Sequence, residues 1–236
     1  MKVNICFSFI HIFFINIFLS GIFLIAQTTN DIKIGTQIWT SKNLEVTIYR
    51  NNDSIRFASN EEEWQDAVSK KEGAWCYYEN NKYVNDNCGK LYNWYAVNDP
   101  RGLAPLGYHI PSKSEWETLI NDLGGDTEAG YQMIVVNRDG NIWNNSRPDP
   151  DKPWKRFPNN SSGFSAFPGG FRHQNGGFGG ASNGNLGQDH DIGFWWSASE
   201  LDQVTAWYFY LTSDNFVTNK YIEKKTFGFS VRCIKD

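Results

Sequence analysis

The chain has 236 residues with 22 basic and 26 acidic side chains, a formal net charge of −4, and no basic block or stripe. That excludes the electrostatic footprint of a nucleic-acid binder. The length suffices for one full hydrophobic core, and 16 % of the residues are aromatic, which supplies large rings both for a core and for a stacking surface.

Residues 1–26 carry one charge, Lys2, then a nearly unbroken apolar run from Ile5 to Ile25 and the small residue Ala26. This is the plan of a signal peptide: a basic start, an apolar centre and a cleavage site before Gln27. An uncleaved membrane anchor is the competing reading, because about 20 apolar residues span a bilayer. Lipidation needs a cysteine just after the apolar run, and Cys6 lies near its start. Cleavage leaves a single domain, 27–236, with a net charge of about −5, no further membrane-spanning segment, and a secreted or cell-envelope location.

In that compartment disulfides persist. The domain keeps Cys76, Cys88 and Cys233. A Cys76–Cys88 disulfide closing the turn-like stretch between them is expected, contributing about 3 kcal/mol by restricting the unfolded chain. Cys233 is then left as a small buried hydrophobe.

Along the chain, DIKIGTQIW reads as a hairpin turning at Gly35. Asn60 and Glu63 form an N-cap with its reciprocal glutamate, and Trp64, Ala67 and Val68 follow at helical spacing, predicting a helix over 61–71. Leu91, Trp94 and Tyr95 predict a second short helix over 91–97, stopped by Pro100. Ser112 with Glu115 makes a capping box, and the stripe Trp116, Leu119, Ile120, Leu123 predicts a helix over 113–123 ended by Gly124. From Gly124 to Gly193 regular patterning fails and glycines concentrate. So long an irregular stretch is a functional loop region when it is ordered, and Phe164, Phe167, Phe171 and Phe178 argue that it packs on the body. Four strands close the chain, at 194–199, 204–211, 216–223 and 227–234, expected as an antiparallel meander. Together these predict an α+β fold.

The segments IGTQIWTSKNLEV (34–46), GKLYNWYAV (89–97), GYHIPSKSEWETL (107–119), WWSASE (195–200) and FGFSVRCIKD (227–236) resemble the Fibrobacter succinogenes major paralogous domain family over nearly the whole of 27–236. The resemblance implies a surface or secreted protein of Bacteroidota or Fibrobacter type and names no chemistry. A more distant similarity, carried by Pro111, Glu115, Trp116 and Glu117 and by Gly228, Phe229, Arg232 and Cys233, is to the formylglycine-generating enzymes. It implies a C-type-lectin-like fold with two or three short helices, an antiparallel sheet and a long Gly/Asn-rich loop region. Those enzymes hold copper with a cysteine pair, and this sequence has no cysteine between Cys88 and Cys233, so a two-sulfur site cannot form.

Candidate chemistry beyond the resemblance is sparse. His109, His173 and His190 sit in no catalytic motif. Asp149 with Asp151, and Asp189 with Asp191, have the form of acid–base pairs, but loop-solubilising charges are the better account of them. Asp189, Asp191 and Asn183 could instead offer oxygen ligands to calcium. Trp195 and Trp196, adjacent on a strand, must face opposite sides, one toward the core and the other either covered by the long loop, the simpler reading, or exposed as a sugar or peptide platform with His173, Asn183 and His190. The expectation is a noncatalytic module that binds a glycan or a cell-surface protein, with calcium as the candidate cofactor. An enzyme on the same fold and a structural envelope component are the alternatives.

Overall fold

The computed structural model describes residues 31–83, 88–135, 157–180 and 191–236. The expected signal peptide lies outside these residues, as do Asp149, Asp151, Asn183, Asp189 and His190. Among the described residues, no helix is long and apolar enough to cross a membrane.

The chain opens with the expected hairpin, β1 (Asp31–Ile34) and β2 (Gln37–Thr40). β3 (Arg56–Phe57), α1 (Glu61–Ser69) and β4 (Ala74–Cys76) follow. α1 starts as its sequence predicts: Asn60 Oδ1 accepts the Glu63 N–H at 2.9 Å, while the Glu63 carboxylate reaches back to the Ser59 N–H and hydroxyl. The segment 91–97 is not one helix. It is β5 (Leu91–Asn93) followed by a single turn, α2 (Trp94–Val97), because the backbones of Leu91, Tyr92 and Asn93 are taken by neighbouring strands and Asn93 caps the turn by accepting the Ala96 N–H.

β6 (Tyr108–His109) leads into α3 (Lys113–Asp122), where the Ser112–Glu115 capping box forms in full. Sequence patterning misses the next element, α4 (Asp126–Met133). Its helical signature is broken by Gly130, and tertiary packing demands that glycine, since a methyl group there would lie 1.8 Å from the Phe216 carbonyl oxygen.

The glycine-rich region holds the short hairpin β7 (Phe171–Arg172) and β8 (Phe178–Gly179). β9 (Ile192–Glu200), β10 (Thr205–Thr212) and β11 (Thr218–Lys224) form the expected antiparallel meander. The fourth expected strand does not join it. It splits into β12 (Gly228–Phe229) and β13 (Ile234–Lys235), which enter two other sheets.

The three sheets run β1-β2-β13-β6, β11-β10-β9 and β3-β4-β5-β12-β7-β8, giving an α+β fold. Alternation along β9 divides the core. Trp195 packs with Phe209 and Leu211 against Trp116, Leu119 and Ile120 of α3 and Met133 of α4. Trp196 joins Phe194, Tyr208, Phe229 and Tyr92 on the other side. A third cluster places Trp64 and Ala67 of α1 on Ala74, Cys76 and Leu91. Thus Trp195 and Trp196 do face opposite sides, but neither is exposed, at 1 % and 0 %. Each side of this sheet has a layer to cover it, and each indole N–H has a buried acceptor, Asn43 Oδ1 for Trp195 and the Tyr92 carbonyl for Trp196.

Asn43 joins the layers. Its amide donates to the Cys88 carbonyl at 2.7 Å, and its oxygen accepts from Trp195 and from Arg232 Nε at 2.6 Å. Arg232, fully buried, also donates to the carbonyls of Thr40, Phe164 and Ser165 and lies 4.3 Å from the Phe164 ring. Burial pulls its pKa down to about 9, which leaves it charged at neutral pH.

The Cys76–Cys88 disulfide is not formed in the structure: among the described residues, Cys76, Cys88 and Cys233 are each free and buried. Cys76 points to the α1 side of β4, among Trp64, Ala67 and Leu91, whereas Cys88 sits beside Asn43 and Gly169. Packing positions the two thiols in different surroundings.

Candidate functional site

The core that includes Trp196 reaches the surface at one end of the meander. Register pairing sets Tyr208 opposite Tyr221 and Tyr210 opposite Phe194, so four rings share one sheet face. Tyr210 stacks on Phe194 with centroids 6.0 Å apart, and Tyr208 lies 5.8 Å from Tyr210. Phe171 of β7 meets Phe194 edge-on at 5.4 Å. Phe227 continues the row 6.0 Å from Phe171, and the His173 ring lies 4.7 Å from Phe227. Exposure increases outward, from Tyr208 at 9 %, through half-buried Tyr210, Phe171, Phe227 and His173, to Tyr221 at 65 %.

Glycine makes this rim accessible to the β7–β8 hairpin. Gly180 holds φ +76, and a side chain there would press on Phe194 and Phe171. Arg172 anchors the hairpin from beneath. Its guanidinium is fully buried between Trp64 and Phe178 and donates to the Ala58 carbonyl and to Asn80 Oδ1. The turn beyond it is closed by His173 itself, whose N–H donates to the Gly177 carbonyl and whose Nδ1 accepts the Asn175 N–H.

Polar groups flank the rings. Gln174 Oε1 lies 3.4 Å from Lys224 Nζ and 3.5 Å from Thr226 Oγ1. Burial, with the neighbouring Tyr210, Glu223 and Tyr221, raises the Tyr208 pKa, so its hydroxyl stays a neutral donor and acceptor. Flat apolar rings bordered by amide, hydroxyl and charged groups suit a ligand with an apolar C–H face and many hydroxyls.

Of the site residues expected from sequence, His173 lies on this rim, while Trp195 and Trp196 lie inside the core. Asp191 is buried at 1 %, and its backbone exchanges two hydrogen bonds with Ser213. No group of three or more metal-ligating side chains occurs among the described residues. Among the described residues no carboxylate bonds His173. The rim tyrosines Tyr210 and Tyr221 were not singled out from sequence, although the alternation in TAWYFYL on β10 carried a signal for Tyr210.

A model of the family described as Fibrobacter succinogenes major domain matches residues 32–235. No curated protein and no solved structure matches the chain.

Proposed function

We propose a function for a chain that belongs to the Fibrobacter succinogenes major domain family: it is a secreted or envelope-associated, noncatalytic interaction module whose aromatic rim binds glycan. The observation that carries this reading is the partial exposure of Phe171, His173, Tyr210 and Phe227 in one row connected through Phe194, with exposed Tyr221 paired to Tyr208 on the same sheet face. A stacking platform needs rings held rigid from behind and open in front, and Phe194 and Tyr208 supply the backing. A C-type-lectin-like arrangement is supported by the succession of short helices and, after them, an antiparallel meander. The charged N-terminal segment with its apolar run supports secretion.

The test is a glycan-array screen of the 27–236 protein, with calcium and with chelator, run beside Tyr210→Ala and Tyr221→Ala. Binding that both substitutions abolish, with an unchanged Tm for Tyr221→Ala, supports the rim. Loss of binding on chelation adds a calcium requirement. Silence across a broad array, or binding indifferent to both substitutions, overturns it.

A further inference from the structure

A second surface lies on the six-stranded sheet, away from the meander. The register sets Phe57 beside Trp75 and Trp75 beside Tyr92, and the Cys76–Leu91 pair places Tyr77 and Lys90 on adjoining strands one residue further on. Phe57 packs on Trp75 with centroids 4.5 Å apart, and Tyr77 meets Trp75 edge-on at 5.4 Å. Into this aromatic corner comes Lys90, its Nζ 4.9 Å from the Trp75 ring and 5.1 Å from that of Tyr77.

Lys90 is only 6 % exposed, and among the described residues its ammonium makes no hydrogen bond or ion pair. Its polar neighbours are already satisfied: the Trp75 indole donates to the Ile55 carbonyl and the Tyr92 hydroxyl to the Val46 carbonyl. Among the described residues, the opposing charge that acts on it is that of exposed Glu45. Burial strips water from the ammonium and holds its pKa below the ordinary lysine value, against the pull of Glu45. Two aromatic faces compensate the ammonium in part, and an arriving anion adds charge-assisted hydrogen bonds that no group among the described residues supplies. Beside it Phe57 is 44 % exposed, an open ring on the edge strand of the sheet.

We propose that Phe57, Trp75, Tyr77 and Lys90 form a subsite for an acidic oligosaccharide, a carboxylate taking Lys90 Nζ while a neighbouring pyranose ring lies on Phe57. The ring and the ammonium flank the same indole from the two neighbouring strands, each within 5 Å of its centroid, so one ligand must present an apolar face to one side of Trp75 and a carboxylate to the other. An oligouronide does so, whereas a peptide of glutamates carries its carboxylates on flexible chains with no face to stack. The site shares no residue with the rim of the meander, so it holds or fails without the rim.

The probe is trigalacturonate, titrated calorimetrically into the 27–236 protein, with its fully methyl-esterified form as the neutral control and hexaglutamate as the acidic-peptide control. Trigalacturonate is expected to bind, more weakly as salt rises, with the ester and the peptide at least about tenfold weaker. Lys90→Gln removes binding. Phe57→Ala weakens it several-fold with Tm unchanged, and Glu45→Gln tightens it about twofold as the competing carboxylate is lost. Both of these positions are exposed, so they keep the test decisive even if Lys90→Gln does not fold. Tyr221→Ala leaves this binding intact. No binding, equal binding of the ester, preference for the peptide, or indifference to Phe57→Ala and Glu45→Gln overturns the proposal.

Discussion

His109 Nε2 lies 2.8 Å from Glu115 Oε1, the carboxylate whose other oxygen closes the α3 capping box on Ser112. One glutamate therefore both starts a helix and holds an imidazole, and that imidazole reaches Asp236 with Nδ1 at 2.8 Å. The end of the chain is tied through His109 to the first turn of α3.

This arrangement makes stability depend on pH in a stated direction. Burial disfavours the His109 cation, but the hydrogen bonds to Glu115 and Asp236 outweigh it and raise its pKa. A raised histidine pKa contributes stability that is fully present below the unfolded value of about 6.5 and is lost as pH rises through the folded value. Glu115 works oppositely. Burial raises its pKa, but the Ser112 N–H, His109 and the Ser112 hydroxyl lower it further, so its contribution is lost as pH falls through the folded value. In an NMR titration of 27–236, His109 should titrate above about 6.5, and Asp236→Asn should lower that midpoint. A midpoint at or below the free value would contradict the clamp.

Arg232 is predicted to tolerate no substitution, including lysine. Its fork reaches Asn43, Thr40, Phe164 and Ser165 at once, and an ammonium cannot reproduce that geometry. Arg232→Lys should cost about 3 kcal/mol in a denaturant titration, from carbonyls left buried and unpaired. A cost below about 1 kcal/mol would mean the network is dispensable.

Gly130 tests the close approach of α4 to the chain at Phe216. Gly130→Ala forces a methyl group onto the Phe216 carbonyl and should destabilise by about 3 kcal/mol, although alanine is the better helix former. Thr127→Ala, on the exposed face of the same helix, should change stability by less than about 0.5 kcal/mol. Equal effects at the two positions would refute the steric account.

The cysteines give a chemical count. Burial raises the pKa of all three thiols, to about 11 for Cys76, with Arg172 pulling the other way, and to about 12 for Cys233. Natively the 27–236 protein should react slowly with a disulfide-exchange reagent, and after denaturation without reductant it should release three thiols. Release of one would establish a disulfide instead.

Sequence by itself determined the elements whose signals are local. The α1 and α3 caps need only residues within four positions of one another, and the β9–β11 meander announces itself by runs of β-branched and aromatic residues. Tertiary structure decided everything that depends on what lies across the sheet. Alternation says that Trp195 and Trp196 diverge, but only the layers on each side determine that both are buried. Leu91–Asn93 carries helical spacing yet forms a strand, because β4 and β12 offer its backbone partners. FGFSVRCI has the pattern of one strand and is shared between two sheets, with Arg232 at the break drawn into a buried network. The rim followed the same logic: Phe171, His173 and Tyr210 are up to thirty-nine residues apart in sequence and become one surface only when register and hairpin packing join their rings through Phe194 and Phe227. Local spacing carries cap and turn chemistry, whereas exposure and ligand geometry are properties of non-local contacts that no segment of the chain encodes alone.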